Sequence, residues 1–239
     1  MEGYSEKMNS YAIVIQARMS SSRLPGKVLK DIQNKPMLQK QIERLLNGTN
    51  LPVVVATSDQ NSDDKIEELC NRLGVVCFRG SLNNLVLRFL DCAKYNNISH
   101  IIRVGGDDPL IDPNCCEELV KVSKKSNYEF IYASHDNGWP YGCAAELIST
   151  KTLQRILSNT DNPFYLEHTI PFILENPDLF DSHRLLGPAG FQNLEIMLSV
   201  DYKKDFELVK KVFEKCSEKH EFFTMQDIVS LLQSNPKLK

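Results

Sequence analysis

The 239-residue chain has no apolar run near the roughly 20 residues that a bilayer crossing needs. Its first ten residues are polar and carry none of the apolar core of a secretory signal. Both absences argue against membrane insertion or export. An excess of basic charge is missing too. The formal net charge is -3, so no global positive field exists to attract nucleic acid. Seven cysteines are present, yet they form no C-x-x-C pair, and their spacing is irregular, with Cys115 and Cys116 adjacent. That pattern argues against a zinc site or a disulfide framework and predicts reduced thiols in a cytoplasmic protein. Internal repeats and low-complexity linkers are absent. The glycine-rich phosphate loops are lacking as well. Gly26 is the only glycine in the loop after the first apolar run, which rules out the dinucleotide fingerprint. A Walker A motif would need Gly where Ser21 stands, and Ser or Thr where Val28 stands.

What is present is an ordinary globular composition, 42% hydrophobic, in a length suited to one sizeable α/β domain. Residues 1–10 read as a disordered leader and 11–239 as the domain. Short β-branched runs at 12–15, 52–56, 75–78 and 99–104 alternate with helical patterns at 36–46, 63–73, 82–95 and 113–124. This alternation predicts a doubly wound, mainly parallel sheet. Farther along, strands are expected at 130–134, 144–149 and 194–200, and helices at 151–157, 165–174, 203–216 and 224–232. Residues 135–195 read as an inserted, strand-rich subdomain.

Chemistry concentrates where strands end. After the first strand the loop carries Arg18, Arg23 and Lys27, three serines and no acid. Backbone amides, hydroxyls and fixed cations at the carboxyl end of a buried strand suit a polyphosphate. The alternative, a solvated basic turn, accounts less well for such a density of cations directly after a buried strand. A second turn, Gly105-Gly106-Asp107-Asp108-Pro109, puts carboxylates on a tight bend. Carboxylates joined by phosphate oxygens are the usual way to hold Mg²⁺. Asp112, just before Pro113, reads instead as a helix cap. Taken alone, Asp201 reads as a cap too.

The gap-free stretch Ile-Gln-Ala-Arg-Met-Ser-Ser-Ser-Arg-Leu-Pro-Gly-Lys-Val-Leu at 15–29 resembles the signature loop of the CMP-sugar synthetases, above all the cytidylyltransferases of spore coat polysaccharide biosynthesis. Acylneuraminate and Kdo cytidylyltransferases are relatives of that family. Arg103 to Pro109 resembles its Arg-x-x-Gly-Asp-x-Pro motif, and Ser199-Val-Asp-Tyr-Lys-Lys-Asp205 its Thr-Val-Asp-Thr-Pro-Glu-Asp segment. The resemblance implies a nucleotide-diphospho-sugar transferase (GT-A-like) fold with Asp107 and Asp201 as metal ligands. It implies transfer of CMP from CTP to a sugar acid of 3-deoxy-2-ulosonic or nonulosonic type, with Mg²⁺ and release of pyrophosphate, in a homodimer. Arg18, Lys27, Asp107 and Asp201 would be the catalytic set. Gln16, Ala17, Arg18, Ser21, Arg23, Lys27, Arg103 and Gly106 would contact the nucleotide. Ala56, Thr57, Ser58, Arg79 and Ser81, at two further strand ends, would lie near the nucleoside. Tyr141, Gly142, Glu146, Glu167 and His168 would meet the acceptor sugar.

Some positions depart from the family's pattern. Ala144 replaces an aspartate, Asn83 and Asn84 stand where an acidic pair is usual, and Leu166 replaces an arginine. These changes bear on the acceptor more than on the nucleotide. They leave two other readings open: a glycosyltransferase that consumes a finished nucleotide-sugar, and an inactive nucleotide-binding homologue.

Overall fold

The computed structural model describes residues 9–126, 128–191, 196–218 and 220–238. In chain order the elements are β1 (Asn9–Gln16), the short hairpin β2 (Asp31–Ile32) and β3 (Lys35–Pro36), α1 (Met37–Gly48), β4 (Val53–Ser58), α2 (Asp64–Leu73), β5 (Val76–Gly80), α3 (Leu85–Tyr95), β6 (Ile98–Gly105), α4 (Pro113–Lys125), β7 (Phe130–Tyr132), β8 (Glu146–Ser149), α5 (Thr150–Asn159), α6 (Pro163–Glu167), α7 (Thr169–Glu175), β9 (Ser182–Arg184), α8 (Lys203–Ser217) and α9 (Met225–Ser234).

A seven-stranded sheet runs β5-β4-β1-β6-β8-β7-β9. Its first four strands are parallel, as the alternation of strands and helices requires. β8 then joins antiparallel to both β6 and β7, and β9 closes the edge parallel to β7. Every residue of β4 is buried, the mark of a strand covered on both faces. Leu38 and Ile42 of α1, Leu69 of α2 and Leu119 of α4 pack on one face. Phe89 and Leu90 of α3 and Leu153 of α5 pack on the other. Each such side chain contributes about 1.5–3 kcal/mol by leaving water. A third cluster joins α8 and α9 to Ile32, Met37 and Leu110, and so fixes the end of the chain beside the first loop.

Several expectations need correction. The leader expected at 1–10 lies mostly outside the described residues, while Asn9 and Ser10 already belong to β1. The strand expected at 194–200 falls partly outside them as well. Its described part makes only an isolated parallel bridge, Met197 with Tyr141. The helix expected at 165–174 is two helices that meet at His168, whose φ of -120° and ψ of 87° are not helical. Pro171 explains the break, because its ring excludes the carbonyl of Glu167 from a continuous helix. The hairpin β2–β3 turns through Gln33 and Asn34, with φ values of 54° and 63°, a turn whose Gln-Asn pair carries no glycine signal. Within 135–195, β8 and β9 belong to the main sheet itself.

Candidate active site

The first loop leaves β1 and is pinned at once. Ala17 N donates to Ala56 O at 3.3 Å, and Met19 N donates to Asp63 Oδ1 at 2.7 Å. Asp63 is fully buried, and its other oxygen accepts from the amide and hydroxyl of Ser58. The loop closes on itself where Gly26 N donates to Met19 O at 3.0 Å, with Gly26 left-handed at φ 67°. The following 3-10 turn starts at Lys27 and aims its ammonium inward.

Lys27 is 8% exposed, and its Nζ reaches three oxygens. They are Asp107 Oδ2 at 3.0 Å, Asp201 Oδ1 at 3.2 Å and Val200 O at 2.7 Å. Arg23 Nη2 donates to the same Asp201 Oδ1 at 2.7 Å, and its guanidinium lies 5.4 Å from the ring centre of Tyr202. That aspartate raises the Arg23 pKa further. Val200 N donates to Asp107 O at 2.8 Å, which ties the two carboxylate-bearing segments together. Asp201 does not cap α8. Tyr202 is the cap residue, and Asp205 reaches back to the amides of Tyr202 and Asp201 at 2.8 and 3.1 Å. The Asp201 carboxylate is therefore left for the cleft. Asp112 does cap α4, accepting from Asn114 N at 3.1 Å.

Two adjoining cavities of about 370 and 410 Å³ share Gln16, Arg23, Arg103, Asp107 and His168. The first also takes in Arg18, Ser21, Lys27 and Gly106, together with Leu85 and Arg88 of α3. The second takes in Tyr141, Gly142, Glu146 and Asp201. Gly142 has a φ of 84°, and a Cβ there would come within 2.3 Å of Ser199 N, so only glycine fits. On the floor between the cavities, Arg103 and Glu146 stand opposite each other in register on β6 and β8. Arg103 Nη1 donates to Glu146 Oε2 at 2.9 Å and its Nε to Gln16 Oε1 at 3.2 Å. Burial lifts the Glu146 carboxyl above its ordinary range, against the opposing pull of Arg103. Burial and then the neighbouring Asp107 push Asp108 well above its own.

The remaining expected residues separate. Arg18 lines the first cavity but is paired with Glu167 at 2.6 Å, away from the two aspartates. Glu167 accordingly belongs to the first cavity and not to the second. Ala56, Thr57, Ser58, Arg79 and Ser81 line neither. Ala56, Thr57 and Ser58 are fully buried, and Ser58 is taken up by Asp63. Arg79 is held outside by Asp64 at 2.6 Å and Glu67 at 2.8 Å. Ser81 Oγ accepts from Asn84 N at 3.1 Å. His135, Ser199 and Arg88 line the cavities without having been expected. Of these, Ser199 opens the segment that carries Asp201, while Arg88 is a cation on the largely apolar face of α3 that no motif singles out.

Comparison with known proteins supplies what geometry alone leaves open. The family profile described as Cytidylyltransferase matches residues 12–229. The spore coat polysaccharide biosynthesis protein SpsF of Bacillus subtilis (strain 168) is 30% identical over 237 residues, 96% of this chain and 96% of that protein. The 3-deoxy-manno-octulosonate cytidylyltransferase 2 of Hydrogenovibrio crunogenus is 30% identical over 215 residues, 86% of this chain and 85% of that one. A solved structure of a cytidylyltransferase from Leptospira borgpetersenii superposes with a TM-score of 0.89 at 31% identity, covering 96% of each chain.

Proposed function

The chain belongs to the cytidylyltransferase family and is a CTP-dependent nucleotidyltransferase; on that premise we propose that it transfers CMP from CTP to a hydroxyl of a sugar acid of 3-deoxy-2-ulosonic or nonulosonic type, for a surface polysaccharide. A sugar oxygen forms the new bond to the α-phosphorus. The bond from that phosphorus to the β-phosphate bridge breaks, and pyrophosphate leaves. The observation that carries this reading is the ammonium of Lys27 held between Asp107 and Asp201 on the wall of the double cavity. Cations and carboxylates that must meet around a nucleoside triphosphate are already within contact of one another.

Lys27 and Arg23 exchange their carboxylate partners for β- and γ-phosphate oxygens when the nucleotide enters, and they hold the departing pyrophosphate. The serines and amides of the 20–26 loop add neutral donors. Asp107 and Asp201 would then hold Mg²⁺. The donor set fits, since these two oxygens already share one cation. With two carboxylates from the protein, phosphate oxygens of the nucleotide would supply the further ligands an ion there needs. A divalent ion bound there supplies charge compensation along the transferred phosphoryl group. In the second cavity Tyr141, Glu146 and His168 orient the acceptor. Large apolar side chains exposed in 135–195, among them Phe164, Leu174, Leu179 and Leu186, support a homodimer through that segment, checked by light scattering of the purified protein.

Pyrophosphate release from CTP and Mg²⁺, measured against a panel of sugar acids, tests the reaction. Turnover with at least one acid is expected. Release only with neutral sugars would reject the acceptor class, and CTP binding without turnover on any acceptor would favour an inactive homologue.

A further inference from the structure

Arg88 takes no part in the chemistry above. It stands on the inner face of α3 at 4% exposure and lines the first cavity beside Leu85. A cation buried to that degree is ordinarily paired with a carboxylate. Arg88 instead spends one nitrogen on loop carbonyls, Nη1 donating to Ser81 O at 2.6 Å and to Leu82 O at 3.4 Å. Its Nε–H has no acceptor, and its Nη2 makes no hydrogen bond among the described residues. Nε–H and Nη2–H project in parallel from one edge of the guanidinium, a rigid pair made for two adjacent acceptors. The stem is seated against Gly80, where a Cβ would come within 3.2 Å of Arg88 Cγ.

The surroundings indicate what those acceptors are. Burial and the neighbouring Arg18 depress the basicity of Arg88, while Glu167, Asp63 and Asp59 are the acids that oppose them. A phosphate placed there would face those three acids against one neighbouring cation, Arg18, which is already paired with Glu167, and the cations suited to phosphate, Lys27 and Arg23, are grouped on Asp201. A neutral ring edge meets no such repulsion, and Leu85 offers its face an apolar contact. Cytosine presents two adjacent acceptors, N3 and O2. Uracil carries a hydrogen on N3 and would set donor against donor.

We propose that Arg88 reads the base, donating from Nε and Nη2 to N3 and O2 of cytosine and so selecting CTP over UTP. This rests on the CTP reading above. Calorimetric titrations with CTP, UTP, 3-deaza-CTP and inorganic tripolyphosphate, in Mg²⁺, test it on the wild type and on Arg88→Lys. A site built to bond one edge rejects the mismatched one strongly. The wild type is therefore expected to bind CTP about 50-fold or more tighter than UTP, and about 10-fold tighter than 3-deaza-CTP, which lacks the N3 acceptor. In Arg88→Lys both ratios fall to about 2 or less while tripolyphosphate binds within about 2-fold of wild type. A variant that keeps its CTP preference, or that loses tripolyphosphate as severely as CTP, overturns the assignment in favour of a purely structural or phosphate-binding arginine. Should the variant not fold, the wild type alone decides: equal affinity for CTP and 3-deaza-CTP defeats the proposal. A wild type that takes UTP as readily as CTP defeats the CTP reading along with it.

Discussion

The cations of the cleft are held in two different ways. Lys27 and Arg23 are bound to carboxylates that a ligand must win back. Arg88 is held by backbone carbonyls, which compete for none of the donors it leaves over. The first arrangement tolerates an empty site because every charge has a partner. The second keeps a buried donor with no partner, which costs stability until a ligand supplies an acceptor. On the proposed reaction, the first set suits exchange and the second suits recognition.

The largest way to break this contrast is in the exchange set. Asp107→Ala and Lys27→Ala should each lower kcat by about 10³-fold, with the cytosine preference intact. Steady-state rates with CTP and UTP read both quantities, and an Asp107→Ala enzyme with wild-type turnover at limiting Mg²⁺ would remove the metal assignment. A smaller effect sharpens the same side of it. With the ammonium gone in Lys27→Ala, Asp107 and Asp201 face each other without a counter-ion. Mn²⁺ should then bind the nucleotide-free protein about 10-fold more tightly than it binds wild type, by electron paramagnetic titration. Unchanged Mn²⁺ affinity would mean that Lys27 does not compete for the site.

Asp112 gives a pH-dependent control outside both sets. Burial raises its carboxyl pKa above the unfolded value. The folded state therefore binds the proton more tightly, and this group's stabilisation is full below about pH 3.9 and lost as pH rises through the folded pKa. Asp112→Asn keeps a competent helix cap and removes that loss, so its melting temperature relative to wild type should improve as pH rises from 4 to 7. A constant difference across that range would refute the assignment. The smallest effect belongs to Arg79. Its partners Asp64 and Glu67 are about half exposed, so Arg79→Ala should cost under about 1 kcal/mol and leave CTP affinity within about 2-fold. A larger loss of CTP affinity would return Arg79 to the nucleoside site.

What could be read from the sequence follows from how local each signal is. The parallel half of the sheet was legible because buried β-branched runs and intervening helices repeat at short range. Lys27 and Asp107 were legible because strand-end turns announce themselves. Asp201, by contrast, needed the family resemblance to distinguish it from a helix cap. The residues expected near the nucleoside do not line the cleft, for a physical reason. Thr57, Ser58 and Arg79 also sit at strand ends, but Asp63, Asp64 and Glu67 take up Ser58 and Arg79, and Thr57 is buried outright. No pattern along the chain reveals such an internal competition. Arg88 was hidden because an arginine among apolar helix positions looks like a long side chain reaching out to water.

The pairing of β7 with β8 carries a further consequence. Tyr132 stands opposite Glu146, and Ala133 N donates to Ala145 O at 3.1 Å, so the segment bearing Tyr141 and Gly142 leaves and re-enters the sheet at neighbouring points. Its two ends are clamped by register, because a one-residue slip would send Leu147 and Ile148 each to the opposite face of the sheet, out of the core cluster it packs in. The twelve or so positions in that excursion form a replaceable cassette. Grafting in its counterpart from a relative would exchange the lining of the second cavity, provided the graft keeps Gly142 against Ser199 and the Tyr141 carbonyl that accepts from Leu198 N, three residues before Asp201.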